Sequence, residues 1–204
     1  MIFNYTNKYQ FTTRLSINNH PVEVINNTRL LGTIIQDNLC WDMNTKEIVK
    51  KANARMELLR KVASFCDNYD DLKTIYVLFV RSILEQSATV WYSSLTEENK
   101  SDLEMVQKTA LKVIMGKKYK SYRNALNFFN LETLNERRNI LCLKFAQRSS
   151  KHPKMKNMFP LKAKHQTLYT RNQSKFKVQH AKNERLKNLL VIYIQNLLNE
   201  NELQ

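Results

Sequence analysis

The sequence predicts a mainly α-helical fold, with a helical bundle, a small N-terminal antiparallel β-segment and a basic, partly irregular C-terminal tail. Three observations lead to this prediction. Only two Gly and three Pro occur in 204 residues that are 43% hydrophobic, which favours helices around a buried core. Apolar residues alternate before Trp41 and recur every three or four positions after it. Residues 151–190 hold eleven Lys or Arg and one acid.

The β-segment is predicted within residues 1–40, where β-branched and alternating residues between Phe11 and Ile35 are typical of strands. The expected strands are FTTRLSI, VEVI and RLLGTII. The turns between them are expected at NNHP (residues 18–21) and NNT (residues 26–28). A short hairpin with a third strand follows from this pattern.

The first two helices begin the predicted helical domain, residues 41–150. Asn68 is expected to cap the second helix, with Asp70 and Asp71 in its first turn, where acids favour the positive end of the helix dipole. The body of that helix, LKTIYVLFVRSILEQ, is apolar nearly all round and is expected to be the central, most buried helix. The apolar stripe that predicts the first helix is Val49, Ala52, Met56, Leu59 and Ala63.

Three more helices complete that domain. Thr96 is expected to start the third helix and Gly116 to end it, while Ser121 opens a short fourth. Thr133 and Glu136 have the spacing of a capping box and introduce a fifth. A basic linker, residues 151–185, and an amphipathic helix, residues 186–204, follow. That last helix needs a surface to bury its stripe, which is Leu186, Leu190, Tyr193 and Leu197.

Several classes of site and location are not expected. Cys40, Cys66 and Cys142 are far apart and form no CxxC pair, which argues against a disulfide framework or a zinc site and favours a reducing compartment, nucleus or cytosol. With only Gly32 and Gly116, a glycine-rich phosphate loop is excluded, and no cofactor is predicted. The chain has no apolar run of membrane-spanning length and no signal-peptide layout, so we expect a soluble intracellular protein.

Two groups of residues that could bind metal ions are better explained by roles other than metal binding. Tyr69-Asp70-Asp71 resembles a polymerase metal motif, but an aromatic-x-Asp-Asp motif would need its aromatic residue at position 68, and helix capping is the favoured interpretation. His152, His165 and His180 are 13 and 15 residues apart, too far for paired zinc ligands, and belong to the basic tail. Trp91 and Tyr92 are expected in the core.

The charge indicates a polyanionic partner. Thirty-three basic and eighteen acidic residues give a net charge of +15 and a pI near 9.8, which points to nucleic acid first and an anionic membrane surface second. In the tail, Phe159, Tyr169 and Phe176 interleave with Lys and Arg, as in proteins that bind single strands. A passive, solvated tail is the alternative.

The order of several motifs resembles the region downstream of the palm in LINE-type non-LTR retrotransposon reverse transcriptases, from about residue 11 to the end. The motifs are Leu31-Gly32 followed by Leu39 and Trp41, the block RSILEQSATVW (residues 81–91), and residues 103–116. The resemblance implies that residues 11–35 lie against a palm and that the helices form a thumb. The palm carboxylates are missing, so no polymerase activity is expected from this chain, which resembles a fragment of the parent RNA-directed DNA polymerase.

Residues 29–96 also resemble the segment named after the N-terminal region of the eighth AlkB homologue. That name would imply iron and S-adenosylmethionine chemistry. The sequence has neither a His-x-Asp with a distal His nor a glycine-rich methyl-donor loop. We therefore expect any such name to be inherited rather than based on these residues.

The leading hypothesis is a thumb fragment that binds RNA or an RNA/DNA duplex by its backbone without sequence preference, with a separately encoded palm as a further partner. One alternative is a helical adaptor that docks on a protein through the stripe of the last helix. Another is a nonfunctional relic that does not fold stably. The residues predicted to contact the nucleic-acid backbone are Lys50, Lys51, Arg55, Arg60, Lys61, Lys117, Lys118, Lys120, Arg137, Arg138, Lys175, Lys177, Lys182 and Arg185.

Overall fold

The computed structural model describes residues 15–159, 176–178, 180 and 187–201. It is mainly α-helical with two small N-terminal hairpins, which confirms the predicted fold class. The strands are β1 Ser16–Ile17, β2 His20–Pro21, β3 Asn27–Leu30 and β4 Thr33–Gln36. The helices are α1 Asp42–Ala63, α2 Tyr69–Ile75, α3 Ser82–Glu85, α4 Ala88–Trp91, α5 Glu97–Met115, α6 Tyr122–Phe129, α7 Leu134–Lys151 and α8 Leu190–Asn201. None of these described helices is both long enough and apolar enough to cross a bilayer.

Each hairpin closes through a two-residue turn with positive φ at both residues, the geometry that suits the twist of paired strands. Asn18 (φ 50°) and Asn19 (φ 63°) form the first turn, inside the predicted NNHP. Leu31 (φ 49°) and Gly32 (φ 85°) form the second. The turn predicted at residues 26–28 is therefore wrong. Glycine adopts positive φ without steric cost, and the turn at Gly32 splits the predicted strand RLLGTII into β3 and β4.

The core lies around two parallel helices, α1 and α5. Both begin at the same end of the molecule, where Asn99 of α5 donates a hydrogen bond to Asp42 of α1 at 2.7 Å. The side chains of Met56 and Leu59 from α1 and of Leu103 from α5 are fully buried in one cluster with residues of α2, α6 and α7. This core confirms the helical stripe predicted for α1.

The second helix is less buried than its composition predicts. A π-helical stretch, Tyr76–Arg81, joins α2 to α3, and the three elements together form one continuous rod. The buried positions of this rod are four residues apart. Leu78 and Phe79 on the other side are 60% and 45% exposed. The prediction that the whole circumference is buried is wrong, because the rod packs on α1 and α5 with one face only. The buried positions are Leu72, Tyr76, Val80 and Leu84.

A buried polar network fixes α6 and α7 on α5. Gln107 of α5 accepts a hydrogen bond from the Tyr76 hydroxyl (2.5 Å) and donates one to the Tyr122 hydroxyl (2.8 Å). Glu104, one turn earlier, accepts hydrogen bonds from Tyr122 and from the backbone N–H of Leu134 at the start of α7. Since buried polar groups need defined partners, this network sets the positions of both helices.

The last helix, α8, buries its apolar residues within the chain. Leu190 packs in a second cluster with Phe159 and Phe176, next to α7. Tyr193 and Leu197 pack against the main core, and the Tyr193 hydroxyl donates to Asn139 Oδ1 at 2.6 Å. The surface that the sequence requires for this stripe is supplied by the chain itself. Leu186, the first residue of the predicted stripe, lies outside the described residues.

Helix starts are where sequence and structure agree best. Asn68, Thr96 and Ser121 each accept a backbone hydrogen bond as caps, as predicted. The capping box is also confirmed, since Thr133 accepts from the backbone N–H of Glu136 and Glu136 accepts from that of Thr133. These hydrogen bonds from Thr133 lower the pKa of the Glu136 carboxyl.

Thr133→Ala is expected to destabilise the chain by about 1 kcal/mol, because it removes the side-chain cap of α7. Urea denaturation followed by circular dichroism measures this loss. Thr109→Ala, a change inside helix α5, serves as the matched control and is expected to cost less, because that residue caps no helix. Equal losses in the two variants would contradict the capping role.

Candidate nucleic-acid interface

Some of the basic residues on α1 are paired with carboxylates, and others are free to contact a ligand. Lys51 lies 3.4 Å from Glu47, and Arg60 forms an ion pair with Glu57, so two of the five predicted contacts are already paired with a carboxylate. The other three predicted contacts on α1, Lys50, Arg55 and Lys61, are exposed and form no ion pair with a described residue.

The first turns of α1 and α5 carry acids, and their last turns carry bases. Because the two helices are parallel, their acidic first turns lie at one end of the molecule and their basic last turns at the other. Lys117, Lys118 and Lys120 follow α5 directly and are exposed at the basic end. Acids occur at this end too, since Glu57 pairs with Arg60, and Asp70 and Asp71 follow Tyr69, whose ring Lys118 contacts. The acids of the first turns are Asp42, Glu97 and Glu98, and the bases of the last turns are Arg60, Lys61 and Lys112.

The neighbouring arginines of α7 have opposite environments. Arg137 is half-buried and its Nε lies 3.1 Å from Glu85, which also pairs with Arg81 at 3.4 Å. Arg138 is only 1% exposed and donates to the carbonyl of Leu84 at 3.2 Å. The prediction that Arg138 contacts a nucleic-acid backbone is wrong, because its guanidinium is enclosed by the core.

The described part of the basic tail does not offer the predicted stacking rings. Phe159 and Phe176 are 4% and 6% exposed, and both pack against α7 and α8. Their predicted role in stacking on bases is therefore wrong. Lys177, next to Phe176, is exposed as predicted. The remaining tail residues of the prediction, Tyr169, Lys175, Lys182 and Arg185, lie outside the described residues.

A basic stripe on the outer face of α7 was missed by the sequence reasoning. Lys144, Arg148 and Lys151 are exposed, and none of them forms an ion pair with a described residue. They recur at intervals of four and three residues, so they share one helix face over about 10 Å. The signal was available, since thirteen Lys or Arg and no acid occur between Glu136 and Glu184.

The aspartates after Asn68 have a structural role. Asn68 Oδ1 accepts from the backbone N–H of Asp70 at 3.0 Å, and Asn68 Nδ2 donates to Asp71 at 2.9 Å. Helix capping at this site is thus confirmed. Within the described residues, no three His, Cys, Asp or Glu side chains are grouped as metal ligands would be.

The chain matches no protein-family model, no curated protein and no solved structure. The resemblance to LINE-type reverse transcriptases therefore stays a prediction that rests on the motifs quoted above. The positions of charged and aromatic side chains carry the functional inference.

Proposed function

We propose that this chain binds the backbone of RNA or of an RNA/DNA duplex without sequence preference, as the thumb-like part of a LINE-type reverse transcriptase. The observation that supports this most is the stripe of Lys144, Arg148 and Lys151 on α7. These three cations share one side of a helix, and none of them is paired with an acid among the described residues. The sequence between Glu136 and Glu184 contains no acid. Contacts of this kind hold a duplex in place and read no bases. The chemistry of polymerisation would belong to a palm that carries the metal-binding aspartates.

The adaptor alternative is less well supported. It depends on the stripe of the last helix being open to a partner protein. Leu190, Tyr193 and Leu197 are packed against the chain itself, so a partner would have to displace them. Among the described residues, by contrast, Lys144, Arg148 and Lys151 are exposed and pair with no acid.

The triple variant Lys144→Gln, Arg148→Gln, Lys151→Gln tests the proposal. Binding to labelled single-stranded RNA, DNA duplex and RNA/DNA hybrid is measured across a salt series. Each lost phosphate contact lowers the slope of log affinity against log salt by about 0.7 to 0.9, so the slope should fall by about 2 to 3. The loss should be the same for all sequences of one nucleic-acid type.

A charge-matched control separates local contact from net charge. The triple variant Arg29→Gln, Arg81→Gln, Lys100→Gln also removes three positive charges, but these side chains are paired with Glu47, Glu85 and Glu97, respectively. We expect little change in its salt slope. Equal losses in the two triple variants would mean that net charge alone attracts the nucleic acid. No binding by the unmodified chain would reject the proposal.

A further inference from the structure

Phe128 on α6 is an exposed aromatic ring held in a fixed position. Its side chain is 59% exposed. Its ring packs edge to face against Tyr69, with centroids 5.8 Å apart at 90°, and against Phe129, at 4.9 Å and 87°. Tyr69 itself contacts Phe129 at 6.3 Å. Two neighbouring rings thus hold Phe128 while much of its surface stays open.

Cations lie beside Tyr69, which contacts this ring, and on the segment that leads into α6. The ammonium group of Lys118 lies over the Tyr69 ring, 5.2 Å from its centroid, and Lys120 and Arg123 are exposed on the chain leading into and along α6. Between Glu104 and Glu132 the sequence has six Lys or Arg and no acid. Asp70 and Asp71 follow Tyr69 in the first turn of α2 and Asp67 precedes it, so these acids belong to the α2 side of the ring cluster. A phosphate backbone would therefore approach from the α6 side.

We infer that Phe128 is a stacking platform for an unpaired base of the bound nucleic acid. The backbone on either side of that base would be held by Lys118, Lys120 and Arg123. An exposed aromatic ring together with several cations is the combination by which proteins hold single strands, because every base can stack on such a ring. This inference rests on the proposed function and specifies it, since it requires a single-stranded region in the ligand. A fully paired duplex has no base to offer Phe128.

The test compares Phe128→Ala with Phe128→Trp in the full chain. The probes are a single-stranded RNA oligonucleotide and a blunt RNA/DNA hybrid of the same length. Phe128→Ala should weaken binding of the single strand about tenfold and leave the blunt hybrid unchanged. Phe128→Trp, which keeps an aromatic face, should bind the single strand as the unmodified chain does. Phe79→Ala, which removes a ring that is 45% exposed on another helix, is the control and should alter neither affinity.

The outcomes separate the two claims. If Phe128→Ala weakens neither probe while the α7 triple variant weakens both, the stacking platform is rejected and backbone binding stands. An equal loss for both probes in Phe128→Ala would also reject the platform, since the ring would then act through the fold. If the unmodified chain binds neither probe, both the platform and the proposed function fail. A loss for the single strand alone, restored in Phe128→Trp, is the result that supports the inference.

Discussion

Arg138→Ala is expected to lower the free energy of unfolding by about 3 kcal/mol and to leave the salt dependence of nucleic-acid binding unchanged. The guanidinium lies 5.5 Å from the ring centroid of Trp91 and 5.6 Å from that of Tyr92. It also donates to the Leu84 carbonyl. Truncation would remove this cation–π packing and leave a cavity in the middle of the core.

Arg148→Ala is the matched control, because Arg148 is an exposed arginine on the same helix. We expect a change in stability within about 0.5 kcal/mol and a lower salt slope, the reverse of Arg138→Ala. Urea denaturation and a salt series on the same preparations measure both effects. A stable Arg138→Ala chain with weakened binding would show that Arg138 is a surface contact after all.

Arg138→Met examines why a charge is buried there. Burial lowers the pKa of the Arg138 guanidinium, and its Nε has no hydrogen-bond partner in the described part of the chain. The Leu84 carbonyl and the two aromatic rings therefore offset only part of the cost of burying this charge. Methionine fills a similar volume without the desolvation cost, so this variant should retain much more stability than Arg138→Ala.

The two arginines show what sequence reasoning can and cannot separate. Leu134, Cys142 and Ala146 are buried on one face of α7, and Arg138 falls at the four-residue step between the first two. The periodicity that predicts the helix therefore also places Arg138 inside. The prediction nevertheless placed Arg138 on the surface because of its charge, since an arginine is rarely buried without a carboxylate partner. Arg137, one position earlier, pairs with Glu85, which is distant in sequence and could not be anticipated.

Local interactions were predictable and long-range packing was not. The caps at Asn68 and Thr133 depend on residues two or three positions away, so their sequence signatures were sufficient. The burial of Phe159 and Phe176 depends on α8, which follows them in the chain and packs back on α7. The spacing of residues within the tail could not show that the rings of Phe159 and Phe176 are buried against α7 and α8. Phe128 was not considered because its neighbour Phe129 and partner Tyr69 meet only in the folded chain.

Alkaline pH is expected to destabilise the chain strongly, because its core holds several neutral acids. Burial raises the pKa of the Cys142 thiol to about 11 and that of Tyr193 to about 12. Burial also raises the pKa values of Tyr76, Tyr92 and Tyr122 well above the usual range for tyrosine. In each case the folded state holds the proton more tightly than the unfolded chain does. The resulting stability is complete below the unfolded-state pKa and is lost as pH rises towards the folded-state pKa.

The loss should begin with Cys142, because an unfolded thiol titrates at about pH 8.5 and an unfolded tyrosine at about pH 10. Each group contributes a slope of about 1.4 kcal/mol per pH unit within its window. We therefore expect a gradual decline in the free energy of unfolding from about pH 9 and a much steeper one above pH 10, measured by urea denaturation at each pH. Cys142→Ala should remove the gradual decline and keep the steep one. Identical pH profiles for this variant and the unmodified chain would mean that the Cys142 thiol is reached by solvent in the folded state.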